Sequence, residues 1–467
     1  MIRTYTLSHT AGKPLYEQLY AAVKADILSG SLAGGEKLPS KRALAEHLNI
    51  SKITVETAYS QLLAEGYITS RERAGYFVES IPLTPPIPAA PAVPGPEPEL
   101  PAAPHSPSAE LFPFSVWAKL MRGVILDKYQ NLLQPVPNPG LPALQQAIAE
   151  ELLRQRGMEV LPEQIFIGAG AEYFYNLILQ FLGRGRLYAL EELGHRKIAR
   201  IYEANGVAIA PIAMDREGLR ADALEESGAS VVHLSPSHHY PTGIVTPIGR
   251  RQALMRWLAA RPDRYAVEDD YDSEFRFTGR PIPTMQSMDT TGRLIYMNTF
   301  SQTIAPALRI SYMILPRTLL PAWRDKLGFY SCTVPSFEQL TLTRFIAEGY
   351  FEKHVSRMKK HYRAVRSRLL GALAASPLSS RCSVLDAGAG LHFLVKIQTN
   401  RTDGELGALL AEAGLTLPFL SSFYISGSAE SARACVVVNY SELDPAELEC
   451  ALRRLEQLTD CSGAETK

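Results

Sequence analysis

PLYEQLYAAVKADILSGSLAGGEKLPSKRALAEHLNISKITVETAYSQLLAEGYITSRERAGYFVE, residues 14–79, decides how this chain begins. Leu15, Leu19, Val23 and Ile27 recur every four residues and share one face of an amphipathic helix, which SGSLAGG then ends. Ser40 follows Pro39 and is placed to cap a helix over 41–48, and Asn49 tolerates the left-handed geometry of a tight turn. Ser51 caps a further helix over 52–65, which buries Val55, Leu62 and Leu63 and leaves Lys52, Thr54, Glu56 and Thr57 at or near its exposed first turns. GYITSRERAGYFVE, residues 66–79, alternates β-formers around a polar tip containing Gly75 and predicts a hairpin with Phe77 in the core. Helix, tight turn, helix and wing is the layout in which a recognition helix enters the major groove of DNA.

Basic residues stand where phosphate contacts would demand them. Lys37, Lys41 and Arg42 flank the second helix's start, Lys52 opens the third, and Arg71 and Arg73 lie on the wing. Charge alone does not decide the matter, because nearby acidic residues nearly cancel these and charge runs usually mean a solvated face. Across the chain 48 Lys plus Arg balance 48 Asp plus Glu, so any nucleic-acid contact must come from a local patch.

With 467 residues, 46% of them hydrophobic, the chain is long enough for more than one domain. Residues 81–107 are rich in proline, which removes backbone donors and fixes φ, so they predict a semi-extended linker between a module over 1–80 and a larger one over 108–467. Cys332, Cys382, Cys435, Cys450 and Cys461 are odd in number and lack CxxC spacing, so reduced thiols are expected, with neither disulfides nor a metal. No apolar run escapes interruption by charge, and a cytoplasmic protein is expected.

In the larger module IFIGAGAEYFYNLILQFL (165–182), RLYALEELG (186–194) and VVHLSPS (231–237) alternate helical and strand patterns, predicting an α/β domain with a mainly parallel sheet. Gly168 and Gly170 allow close backbone approach, and the N–H groups of Ala171 and Glu172 at a helix start are suited to a phosphate. VEDDYDSEF (267–275) sets five carboxylates within seven residues at the end of an apolar strand, more than surface decoration explains.

Taken in order, residues 14–79 resemble the GntR-type winged helix. That resemblance implies DNA contacts from Ser40, Lys41, Arg42, Ser51, Lys52, Thr54, Thr57 and Tyr59, with Arg71, Arg73 and Gly75 on the wing. GAGAEY (168–173), SPSHHYPTG (235–243), VEDDYDSEF and FSQTIAPALR (300–309) resemble the pyridoxal-phosphate fold, fold type I, of class I aminotransferases as found in MocR-type regulators, and the likeness runs over 112–455. It implies a small C-terminal α+β subdomain over about 325–467. It also implies that Asp269 pairs with the pyridine nitrogen, Tyr271 with the phenolic oxygen and Arg309 with the cofactor phosphate, with hydroxyls of Ser301 and Thr303 nearby.

Departures from the family pattern matter more. Gln302 stands where the family has its Schiff-base lysine, which removes both the covalent anchor and the general base. Lys326, Lys353, Lys359, Lys360 and Lys396 read as solvated lysines elsewhere. In ACVVVNYSEL (434–443) Val437 replaces the substrate-carboxylate arginine, with Arg433 four residues earlier an unsuitable substitute. EELGHRK (191–197) puts Leu193-Gly194-His195 where Pro-Gly-Tyr is usual, so an imidazole takes the place of the stacking aromatic, and His239 replaces a glutamine. The expectation is a homodimeric, DNA-binding regulator whose aminotransferase-like domain is non-catalytic and binds pyridoxal phosphate non-covalently at most, or another effector. An active aminotransferase carrying a DNA-binding module is the competing reading, and a pure dimer scaffold a third. The resemblance further implies exchange of winged helices between protomers, for which some 27 linker residues reach about 80 Å at about 3.1 Å each.

Overall fold

The computed structural model describes residues 2–8, 12–80, 111–128, 132–272, 274–277, 282–385, 388, 390–427, 432–441 and 443–460, so the proline-rich linker and Cys461 lie outside the described residues. The chain divides into two compact units, Met1–Glu99 and Leu100–Lys467.

In the first unit, α1 (Leu15–Leu28), α2 (Lys41–Leu48) and α3 (Lys52–Ala64) precede a hairpin of β1 (Ile68–Arg71) and β2 (Gly75–Val78). Both caps form: Ser40 Oγ accepts from the Ala43 N–H and Ser51 Oγ from the Thr54 N–H, each at 3.1 Å. Asn49 takes the left-handed conformation, φ 53°, that lets α2 turn directly into α3. Leu19, Val23, Val55, Ala58, Tyr59, Leu62 and Ile68 close a single core. Two expectations fail here. Leu63 is 41% exposed, because at α3's pitch Val55, Ala58, Tyr59 and Leu62 already fill the inner face. Phe77 is only half-buried, lying on the outer face of the wing under the Arg71 guanidinium, 4.5 Å from the ring centre.

The second unit is built on a seven-stranded sheet. Its strands are β3 (Ile165–Gly168), β4 (Leu187–Glu191), β5 (Ala208–Ile212), β6 (Val231–Leu234), β7 (Tyr265–Asp270), β8 (Leu294–Thr299) and β9 (Ser311–Ile314), in the order β3-β9-β8-β7-β6-β4-β5. All pairings are parallel except those of β9, which runs antiparallel to both neighbours. β9 therefore begins at the edge where the other strands end, and brings Arg309 to the same rim as the residues that follow β3, β7 and β8. Near-continuous apolar strands fit a sheet covered on both faces. One face packs on α6 (Ala171–Leu182) and α7 (Arg196–Ala204), the other on α4 (Phe114–Lys128) and α5 (Pro142–Arg156), with α8 (Ile248–Ala260) beyond. Helices α9 (Leu320–Leu327) and α10 (Ser336–Ala347) also pack on this sheet. A separate core forms where the later half of α11 (Tyr350–Ala375) meets the antiparallel sheet β10 (Cys382–Leu385), β11 (His392–Ile397), β12 (Cys435–Asn439), with α12 (Asp403–Glu412) and α13 (Pro445–Asp460) against it.

Candidate DNA-binding face and cofactor cradle

On the first unit Ser40, Arg42, Ser51, Lys52, Thr57, Arg71 and Arg73 are exposed, and Lys41, Thr54 and Gly75 partly so. Their chemistry is partly engaged within the unit: Lys41 Nζ donates to Glu56 Oε1 at 2.5 Å, Arg42 Nε to Glu46 Oε1 at 2.9 Å, and the Thr57 hydroxyl to the Ile53 carbonyl. Tyr59 does not belong to this face. It is 1% exposed and its hydroxyl donates to the Pro39 carbonyl at 3.1 Å, which ties α3 to the start of α2. The missed residue is Ile53, 74% exposed in the first turn of α3. An isoleucine so exposed is suited to a thymine methyl group in the major groove. Its signal in the sequence was an apolar side chain on the helix's polar face.

On the second unit the rim of the sheet gathers most of the expected residues. Gly170, at φ +89°, precedes α6, whose first N–H groups belong to Ala171 and Glu172. A Cβ at Gly170 would come within 2.7 Å of Arg309 Nη2, so only glycine lets the guanidinium close over the helix start. Arg309 is itself left-handed, φ 49°, with 52% of its side chain exposed and Nη2 3.6 Å from Glu172 Oε1. Glu172 also pairs with Lys197, a lysine that the sequence reading passed over. Ser301 Oγ accepts from Thr299 Oγ1 at 3.0 Å near this rim. Thr303 is fully buried and its hydroxyl is turned to the Phe300 carbonyl, so it is a packing residue there.

Asp269 lies at the end of β7, where Tyr175 donates to Oδ2 at 2.6 Å and His233 Nε2 lies 3.4 Å away, with Tyr202 behind His233 at 2.8 Å. Burial raises the Asp269 pKa, but the His233 and Tyr175 interactions outweigh it and hold the carboxyl below its usual range. A carboxylate kept ionised at this depth suits a cationic ring N–H. His195 stacks on Tyr240, centroids 4.3 Å apart and 14° between planes, with Tyr271 edge-on at 5.9 Å. One face of the imidazole is thus already covered by Tyr240. The Tyr271 hydroxyl titrates well above its usual value, through burial and then the neighbouring Asp272 charge.

Below this rim the buried groups are arranged in neutral and ionic pairs. His239 Nε2 approaches Glu191 Oε2 at 3.5 Å, but burial pushes Glu191 up to about 8 and His239 down to about 3, so the contact is between neutral groups at neutral pH. His238 Nδ1 meets Asp272 Oδ1 at 2.9 Å, and His392 stands beside it. These three side chains could ligate a cation, a grouping that the cysteine-based reading could not register.

Gln302 is exposed just after β8. Val437 is fully buried among Leu193, Leu394 and Leu420, and Arg433 donates to the carbonyls of Arg401 and Asn400 instead of to the rim. Among the described residues no helix is long and apolar enough to cross a membrane.

Residues 15–78 match the family described as bacterial regulatory proteins, gntR family. Over 454 residues the chain is 35% identical to the uncharacterized HTH-type transcriptional regulator YhdI of Bacillus subtilis, covering 95% of each chain. Over 461 residues it is 30% identical to the probable rhizopine catabolism regulatory protein MocR of Rhizobium meliloti, covering 94% of this chain and 92% of that one. Among solved structures, Pyrococcus horikoshii kynurenine aminotransferase superposes with a TM-score of 0.67 at 22% identity, over 76% of this chain and 89% of the other, which shows the fold of the second unit.

Proposed function

The chain belongs to the MocR-type transcriptional regulators of the GntR family, and on that premise we propose that its aminotransferase-like unit is a non-catalytic ligand sensor and dimerisation domain. The observation that carries this is the pairing of a preserved cradle, Gly170 with Arg309 and Asp269 with His233, with Gln302 at the anchoring position. Such a cradle fits pyridoxal phosphate held non-covalently. The N–H groups of Ala171 and Glu172 with Arg309 and Ser301 would take the phosphate, Asp269 the ring nitrogen, Tyr271 the phenolic oxygen and His195 the open ring face. When bound, the cofactor supplies an electron-withdrawing ring, and Gln302 stands in place of the lysine that would shuttle the proton in turnover.

On the first unit, α3 would read the major groove through Ser51, Lys52, Ile53 and Thr54, with Ser40, Lys41 and Arg42 on phosphates and Arg71 and Arg73 on the wing. A ligand alters DNA binding only as far as it prefers one arrangement of the units over another. The test is operator affinity, measured by fluorescence anisotropy on a duplex enriched from a random library, with and without pyridoxal phosphate. A reversible shift that Arg309→Ala removes supports sensing; equal affinity at saturating cofactor would leave the unit a scaffold.

A further inference from the structure

Consecutive residues of a strand point to opposite faces, so Asp269 and Asp270 serve different sides of the sheet. Asp269 faces α6 and the cradle. Asp270 faces α5, where its Oδ2 accepts from Arg156 Nη2 at 2.7 Å and from the Tyr296 hydroxyl at 2.8 Å. On that second side, between α5, α11 and β8, lies a cavity of about 280 Å³. None of the residues assigned to the cofactor lines it.

Its walls are charged in both senses. Arg156, Arg276 and Lys359 contribute cations, Glu151, Glu274 and Glu352 carboxylates, and Leu152, Phe300 and Phe351 an apolar side. Each of four groups keeps one buried atom without a hydrogen bond among the described residues, Arg156 Nε, Arg276 Nε, Glu151 Oε1 and Glu274 Oε2, although Arg156 Nη2 is held by Asp270 and Glu151 Oε2 by Arg154 at 2.9 Å. Glu274 Oε1 accepts a long contact from Asn298 Nδ2 at 3.3 Å. Burial, more than their neighbours' opposite charges offset, pushes the Glu274 carboxyl up to about 7 and the Glu151 carboxyl up, and pushes Lys359 down. Lys359 is accordingly a cavity residue and not the solvated lysine expected from sequence. Unpartnered buried charged atoms are costly, and a protein that keeps several around one chamber has them placed for something that enters it.

We propose that this chamber binds a small α-amino acid with an apolar side chain, its carboxylate on Arg156 and Arg276, its ammonium on Glu274, and its side chain against Leu152, Phe300 and Phe351. The balance of lining charge selects a zwitterion over a simple anion or amine, and the site is independent of the cofactor cradle. It would give the regulator a second ligand input whether or not pyridoxal phosphate binds.

Isothermal titration of the full chain with L-leucine and L-phenylalanine tests this, beside 4-methylpentanoate and 3-methylbutylamine, which each lack one charge. The expected result is saturable binding of at least one amino acid, with both analogues weaker by about tenfold or more, the loss of one charge-assisted contact. Glu274→Gln should weaken binding by a similar factor, Ser356→Trp at the cavity should block it, and Arg309→Ala should leave it unchanged. No saturable heat with either amino acid up to about 10 mM would overturn the proposal. So would analogues that bind as well as leucine, or loss of binding in Arg309→Ala, which would place the ligand in the cradle. The comparison of ligands on the unaltered protein decides the matter even if Glu274→Gln does not fold.

Discussion

Replacing Gly170 with alanine is expected to damage the cradle in two separable ways. The backbone there, φ +89° and ψ 161°, belongs to a region that only glycine occupies readily, which costs an alanine about 1–3 kcal/mol. For a unit of this size that lowers Tm by roughly 2–10 °C. The added Cβ would also lie 2.7 Å from Arg309 Nη2 and 3.0 Å from its Cζ, so the guanidinium must move away from the start of α6. A charge-assisted hydrogen bond from that group is worth about 1.5–3 kcal/mol, and because 52% of the side chain is exposed the lower end applies, about a tenfold loss of pyridoxal phosphate affinity. Gly183→Ala is the control: φ is +105° there too, but nothing lies within 4 Å of the added Cβ. It should lower Tm comparably and leave cofactor affinity alone. Differential scanning fluorimetry and an absorbance titration on both variants make the assay. Equal cofactor affinity in Gly170→Ala and the unaltered protein would refute the cradle, and an unchanged Tm would refute the strain.

Three further outcomes are expected. Tyr59→Phe removes the bond to the Pro39 carbonyl and should cost about 0.5–1.5 kcal/mol in stability while leaving operator affinity essentially unchanged, whereas a base-contacting tyrosine would show the reverse in the same two assays. Lys52→Ala should weaken binding to all duplexes alike and reduce the slope of log affinity against log salt by about 1, while Ile53→Ala should flatten discrimination at one position. Glu191 is protonated in the folded chain up to about pH 8, against an ordinary value of 4.5. The native state therefore holds the extra proton between those values, and its stability falls as pH rises through them. Glu191→Gln should remove that fall, so its Tm advantage grows from about pH 5 to about pH 8. A difference independent of pH would show that Glu191 is already ionised.

What could be read from the sequence was whatever depends on near neighbours in the chain. Ser40, Asn49 and Ser51 announce two helices and the turn between them because capping acts over three residues, and the segments around Gly170, Asp269 and Arg309 keep their residue types because each follows or precedes a strand end. Burial was harder. Leu63 and Tyr59 are adjacent in heptad terms, yet a small error in helix phase exchanges which is core and which is exposed. Thr303 reads as a hydroxyl beside the anchoring position, but its direction is set by the turn that leads into Ile304. The chamber beside Arg156 was invisible because Glu151, Asp270 with Glu274, and Lys359 come from three separate stretches, and only the pleat of β7 separates Asp270 from Asp269.

The most direct measurement is a titration of purified protein with pyridoxal 5′-phosphate, followed by absorbance, borohydride reduction and intact mass, beside Gln302→Lys. Reversible binding without added mass in the unaltered chain, and a trapped adduct in Gln302→Lys, is the predicted result. A borohydride-trapped adduct in the unaltered chain, stable to dialysis beforehand, would contradict a non-covalent, non-catalytic cradle.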